Sequence, residues 1–237
     1  MTIRTKIIKL IEHPNAILAR LNGIKPLYAY YMSSIKKATS KNFKTIIDVG
    51  ANDGLWSKAA RYYYPQANIY IYEPIREKAE KLNSVRNSKV FSFALWDKND
   101  KSLFNILDEG YDDHSSFLEF ESGNSIYDER KSELNFRKIE VERKRFDSLN
   151  LEIKRPCLVK IDTEGTEIHV LEGFGKRLKE VDVLQIETNF KNAFKGQTKL
   201  SELITYLEKY GFTSFIQTAL RYTKGSPCQC DLIFLRQ

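Results

Sequence analysis

Two stretches of this 237-residue chain carry residue types and spacings able to do chemistry. The first is Asp48-Val49-Gly50-Ala51-Asn52-Asp53-Gly54. Its glycines let backbone approach a ligand closely, and a helix starting behind them aims free N–H groups at the same place. Asp48 stands just ahead of the turn, and a carboxylate beside a ligand suits a cationic group better than a pyrophosphate. Glu73 follows 19 residues beyond Gly54, where doubly wound sheets place the acid that grips ribose hydroxyls. A nucleoside with a positively charged tail meets both demands, and S-adenosylmethionine is such a molecule. A dinucleotide fingerprint fails, because Asn52 and Leu55 stand where glycines are needed. That failure predicts no nicotinamide cofactor.

The second stretch is Leu158-Val159-Lys160-Ile161-Asp162-Thr163-Glu164-Gly165-Thr166-Glu167. Asp162 falls at the carboxyl end of a predicted strand, where open α/β sheets hold ligands. Glu164 and Glu167, three apart on a predicted helix start, share a face and complement the helix dipole. Glu187 ends the next strand, in Gln185-Ile186-Glu187-Thr188-Asn189. These acids are expected to take a proton from a weakly acidic nucleophile such as a hydroxyl. Asp162 and Glu164 are the first candidates for that base, and His114 in a loop is the alternative. Asp162, Glu187 and Asn189 would offer oxygen ligands to Mg²⁺. No metal is expected, because two carboxylates at a sheet edge do not make a metal site. Cys228-Gln229-Cys230 lacks the spacing of a zinc ligand pair.

The elements that must position these residues alternate. Thr45 to Val49 reads as a buried strand, Leu55 to Tyr64 as a helix and Asn68 to Tyr72 as a second strand. A helix from Pro74 and a third strand, Val90 to Leu95, follow. The rhythm breaks over 97–150, where an acidic, turn-rich segment from Asp108 to Glu133 reads as a lid. It resumes with Leu158 to Ile161, a helix from Glu164 to Phe174, Val181 to Ile186, and a helix from Leu200 closed by Gly211. Two late strands, Phe212 to Gln217 and Asp231 to Leu235, read as a hairpin. Such alternation predicts a parallel sheet with helices on both faces.

Charge is uneven. Residues 1–44 hold nine Lys or Arg against one acid, and the remainder is nearly neutral. This segment reads as a basic helical extension, with Pro14 and Pro26 as breaks, ahead of a domain over 45–237. It is expected to pack on the domain, and its basic face would suit an anionic membrane surface or a partner. The near-neutral body argues against nucleic acid. No apolar run reaches the ~20 residues of a membrane span. The odd, sparse cysteines, 3 in all, suit a reducing compartment, so a cytoplasmic location, peripheral at a membrane, is expected.

Asp48 to Gly54, Glu73-Pro74, Val159 to Glu167 and Asp182 to Glu187 together resemble the FkbM family of S-adenosylmethionine-dependent methyltransferases. The resemblance covers about residues 45–237, and Lys160 to Glu167 is its most specific part. It implies the seven-stranded, Rossmann-like class I methyltransferase fold, with strand order 3-2-1-4-5-7-6 and the last strand antiparallel. It also implies O-methylation of a hydroxyl on a sugar of a surface glycan, or on a small natural product. Carried over, Gly50, Asn52 and Gly54 would pass under the methionine part, Asp48 would hold its ammonium and Glu73 the ribose. Ala94 and Leu95 would border the adenine, and Asp162 and Glu164 would face the reaction centre. The acceptor is expected against the 97–150 insertion. Base-amino methylation is disfavoured, since Asp162-Thr163-Glu164-Gly165 lacks the prolines of that chemistry. A non-catalytic scaffold on the same fold is the competing reading, and the intact Asp48, Gly50, Gly54 and Glu73 argue against it.

Overall fold

A computed structural model describes residues 21, 23–107, 115–121, 136–223 and 225–237. His114, and the expected helical pattern before residue 21, lie outside the described residues. A seven-stranded sheet forms the centre. It contains β1 (Thr45–Val49), β2 (Asn68–Tyr72), β3 (Ser88–Phe91), β7 (Cys157–Ile161), β8 (Val183–Asn189), β9 (Phe212–Thr223) and β10 (Ser226–Arg236). The order is β3-β2-β1-β7-β8-β10-β9. Counting only these seven strands along the chain, this is 3-2-1-4-5-7-6, as expected. The first five are parallel, and β10 runs antiparallel to both β8 and β9.

Every residue of β1 and β7 is buried, as the mostly apolar runs Thr-Ile-Ile-Asp-Val and Cys-Leu-Val-Lys-Ile require in a sheet covered on both faces. Alternate residues feed two cores. Ile46, Ile69, Leu158 and Val183 meet α1 (Pro26–Ala38) and α2 (Leu55–Tyr63) on one face. Ile47, Val159, Leu184 and Phe234 meet α4 (Glu167–Phe174) and α5 (Leu200–Glu208) on the other. Between them, α3 (Arg76–Leu82) sends Leu82 into the first core. Each fully buried Leu, Ile or Phe contributes about 1.5–3 kcal/mol.

Pro26 occupies the first turn of α1, where its missing N–H costs nothing. Ala29, Met32 and Ile35, at helical spacing, are wholly buried against α2 and the sheet. The described part of the N-terminal segment is thus built into the core. No helix among the described residues is long and apolar enough to cross a membrane.

Two expectations are corrected. The run Val90 to Leu95 is not one strand: it breaks at Ser92 and Phe93. Ala94 and Leu95 form β4 (Ala94–Leu95), which joins β6 (Phe136–Lys144) and β5 (Asp100–Leu107) in a second sheet ordered β4-β6-β5. Ala94 and Leu95 therefore reach the site from outside the main sheet. The helix expected from Glu164 begins at Glu167, because Glu164 and Gly165 both take positive φ (52° and 94°) and make a turn. Glu164 and Glu167 accordingly share no helix face. The part of the expected lid that is described, 115–121, is stitched down. Ser116 exchanges backbone hydrogen bonds of 2.9 and 3.1 Å with Asn105 on β5, and Phe120 bridges to Phe194.

Candidate active site

The site sits at the carboxyl ends of β2, β1 and β7, where the chain order of the sheet reverses and open α/β sheets leave a crevice. A cavity of about 280 Å³ opens there. Gly50, Asn52 and Glu73 line it from the β1 and β2 side, and Asp162, Glu164 and Glu187 from the β7 and β8 side. Ala94 and Leu95 line it as well, beside Ile75 and Phe104, and give it one apolar wall.

Gly50 has φ +75°, and a Cβ there would lie 1.9 Å from the Asp162 carbonyl oxygen. The glycine is required because the β1 turn presses onto the end of β7, where the Asp162 N–H donates to the Val49 carbonyl at 3.1 Å. Glu73 is buried and ties two loops: its Oε2 accepts the Asn52 N–H at 2.8 Å and its Oε1 accepts the Ile75 N–H at 2.9 Å. Burial pushes its pKa up, against those two bonds and nearby lysines. A carboxylate accepts about four hydrogen bonds, so two remain for a ligand diol. Gly54 does not line the cavity. It starts α2 in the left-handed region, packed on Leu82.

Asp48 is fully buried behind the cavity rather than in its wall. Its Oδ2 accepts from Ser57 Oγ at 2.6 Å, and its Oδ1 lies 3.5 Å from Lys160 Nζ. Lys160 also reaches Asp162 Oδ2 at 3.1 Å and donates to the Gly50 carbonyl at 3.1 Å. One hydrogen bond and two carboxylates thus face the ammonium, which makes so deep a lysine tolerable. Nothing in the motif reading singled out Lys160. Its signal was present: one charge inside an otherwise apolar, wholly buried strand demands a partner.

Asp162 keeps 32% of its side chain exposed toward the cavity. Burial opposes its ionisation, but the Lys160 ammonium and a hydrogen bond from Glu187 outweigh it and hold its pKa below the ordinary value. Glu187 goes the other way, pushed well up by burial and by the Asp162, Glu164 and Asp231 charges. Arg221 Nη1, 3.3 Å from Glu187 Oε1, offsets part of this. The two carboxyls are therefore shifted in opposite directions, as neighbouring acids are. Carboxylate oxygens of Asp162, Glu164 and Glu187 all lie within 4.8 Å of one another. Asn189, an oxygen donor that could serve Mg²⁺ were one bound, ends β8 outside the cavity wall, with Oδ1 buried. Lys160 and Arg221 supply positive charge to two of the three acids, Asp162 and Glu187.

Glu167 lies behind this cluster, with its Oε1 accepting the Gly165 N–H at 2.9 Å. Burial raises its pKa from 4.5 to about 7. Between those pH values the native chain holds a proton that the unfolded chain has lost, so its contribution to stability falls as pH rises through that window. Glu167→Gln keeps the acceptor and removes the titration. Urea melts across the window are expected to show a shallower decline for the variant, and a higher midpoint above pH 7. Parallel pH profiles would refute the assignment.

Two walls come from parts of the chain that the motifs did not reach. Lys25 and Tyr28 close the cavity from the start of α1, and Arg221 from β9. A domain model described as "Methyltransferase FkbM domain" matches residues 48–214. The chain belongs to the FkbM methyltransferase family. Comparison with curated proteins gives no significant match. Among solved structures, this FkbM-family chain is similar to the N-terminal domain of EvdMO1 in the presence of SAH and D-fucose. The two are 11% identical, with 89% of this chain and 83% of that one covered and a TM-score of 0.48. Against the full EvdMO1 structure it spans 41% of that chain. It is also similar to precorrin-6y C5,15-methyltransferase from Geobacter metallireducens GS-15, at 11% identity, with 89% and 87% covered and a TM-score of 0.45. Lys25, Tyr28 and Arg221 all fall outside the matched family region.

Proposed function

We propose that the chain is an S-adenosylmethionine-dependent O-methyltransferase whose acceptor is a hydroxyl, most simply that of a sugar. The observation that carries this is the pairing of two different carboxyls in one cavity. Glu73 is held by two backbone donors with acceptor capacity to spare, and Asp162 is held ionised by Lys160. They directly follow β2 and β7, one on each side of β1, so about 10 Å of sheet separates the two strand ends. That span suits a nucleoside at one end and a reacting atom at the other.

The residues present fit the cofactor. Glu73 would take the ribose hydroxyls, and the apolar side chains of Ala94 and Leu95 would border the adenine. The Gly50 to Asn52 backbone, turned by positive φ at both residues, would run beside the methionine part. The cofactor supplies a methyl group already activated on a sulfonium. The chain's own work is then to place a hydroxyl in line and remove its proton. Asp162 is ionised and partly exposed at the cavity end of β7, so it is the base. Glu164 lies beside it, with its turn fixed by Ser116 Oγ, which donates to the Glu164 carbonyl at 2.8 Å. Asp48 acts indirectly, by holding Lys160. The acceptor would enter past Ser115 and Phe117, which line the cavity from the described part of 97–150.

Calorimetric titration with S-adenosylhomocysteine tests the reading. Micromolar binding is expected, equal in EDTA and in Mg²⁺, and Glu73→Ala is expected to weaken it by more than about tenfold. A chain that binds in neither condition would leave a non-catalytic scaffold as the better reading. Unchanged affinity in Glu73→Ala would remove the ribose role.

A further inference from the structure

Four cations line the cavity: Lys25, Lys78, Lys160 and Arg221. Three are engaged by the protein. Lys78 Nζ donates to Asn52 Oδ1, Lys160 is shared among Asp48, Asp162 and Gly50, and Arg221 holds Glu187 and Gln229. Lys25 alone has no hydrogen bond or ion pair from its side chain to a described residue. It does not sit on a loose tail, however. Its carbonyl caps the first turn of α1, accepting the Tyr28 and Ala29 N–H groups at 3.1 and 3.2 Å. The helix behind it is pinned through the Tyr31 hydroxyl, which donates to buried Asp231 at 2.6 Å.

The position along the cavity is informative. Tyr28, one turn after Lys25, interacts electrostatically with Asp53, Lys160 and Asp162. This end of α1 lines the same cavity as Gly50, Ala51, Asn52 and Asp53. A methionine tail carries both an ammonium and a carboxylate. Acids for the ammonium abound, since Asp53, Glu73, Asp162, Glu164 and Glu187 all line the cavity. A carboxylate among five acids needs a cation, and the uncommitted one is Lys25. We propose that Lys25 binds the carboxylate of the cofactor's amino-acid tail, so that a segment outside the matched family domain completes the cofactor site. This rests on the S-adenosylmethionine reading above.

Two ligands separate this role from general effects: S-adenosylhomocysteine, and 5′-methylthioadenosine, which has the same nucleoside and sulfur but no amino-acid tail. Lys25 is exposed, so Lys25→Gln should fold. By calorimetry on the full chain, Lys25→Gln is expected to weaken S-adenosylhomocysteine by about tenfold and leave 5′-methylthioadenosine unchanged. Lys25→Arg, which keeps a carboxylate-binding cation, is expected to recover most of the loss. Equal weakening of both ligands, or no weakening of either, overturns the proposal while the cofactor reading stands. A wild-type chain that binds neither ligand brings down the cofactor reading, and this proposal with it.

Discussion

Lys160→Met destabilises the fold by about 3–5 kcal/mol, the cost of removing one partner from a buried ion pair and stranding the other. Asp48 would be left wholly buried with only the Ser57 hydroxyl facing its charge, and the Gly50 carbonyl would lose its donor. Methionine matches the lysine stem in length and apolar character, so the loss reports charge rather than volume. Urea denaturation of both proteins measures it. Asp48→Asn in the Lys160→Met background should return part of the stability, because it removes the stranded charge. A loss below about 1 kcal/mol, the range of an exposed pair, would show that Lys160 does not hold the two strand ends.

Asp162→Asn separates binding from chemistry. Asparagine keeps the size of the side chain, and Lys160 retains Asp48 and the Gly50 carbonyl, so the fold and the cofactor turn persist. S-adenosylhomocysteine affinity should stay within about threefold, a change of well under 1.4 kcal/mol. Transfer of labelled methyl from S-adenosylmethionine to a glycan fraction should drop by at least about a hundredfold, the usual worth of a positioned base. Near-normal transfer would exclude Asp162 as the base and direct attention to Glu164.

Much of this was legible in the residues. Strand and helix alternate because each element buries one face, and that periodicity survives in a linear sequence. The glycine turn, Glu73 and Asp162 lie at strand ends, which the pattern locates. The pattern does not say what stands across from a residue. Gly50 was read as clearance for a ligand, yet the nearest atom to its missing side chain is the Asp162 carbonyl oxygen. Asp48 was read as a ligand-facing acid, but its partner is a lysine 112 residues later in the chain. Ala94 and Leu95 were placed at the cavity, where they lie, but on the wrong sheet, because a two-residue strand leaves no periodic trace. Lys25, Tyr28 and Arg221 carry no motif and reach the cavity only through tertiary packing.

The strand order also sets a timetable. β10 lies between β8 and β9, yet it is translated after both. Until residues 226–236 leave the ribosome, β8 (Val183–Asn189) presents a bare edge, with six of its seven positions buried in the finished fold. An open edge of that kind invites pairing with another nascent chain. The hairpin of β9 and β10 is the local step that can form first, and its docking on β8 then seals the sheet in one event.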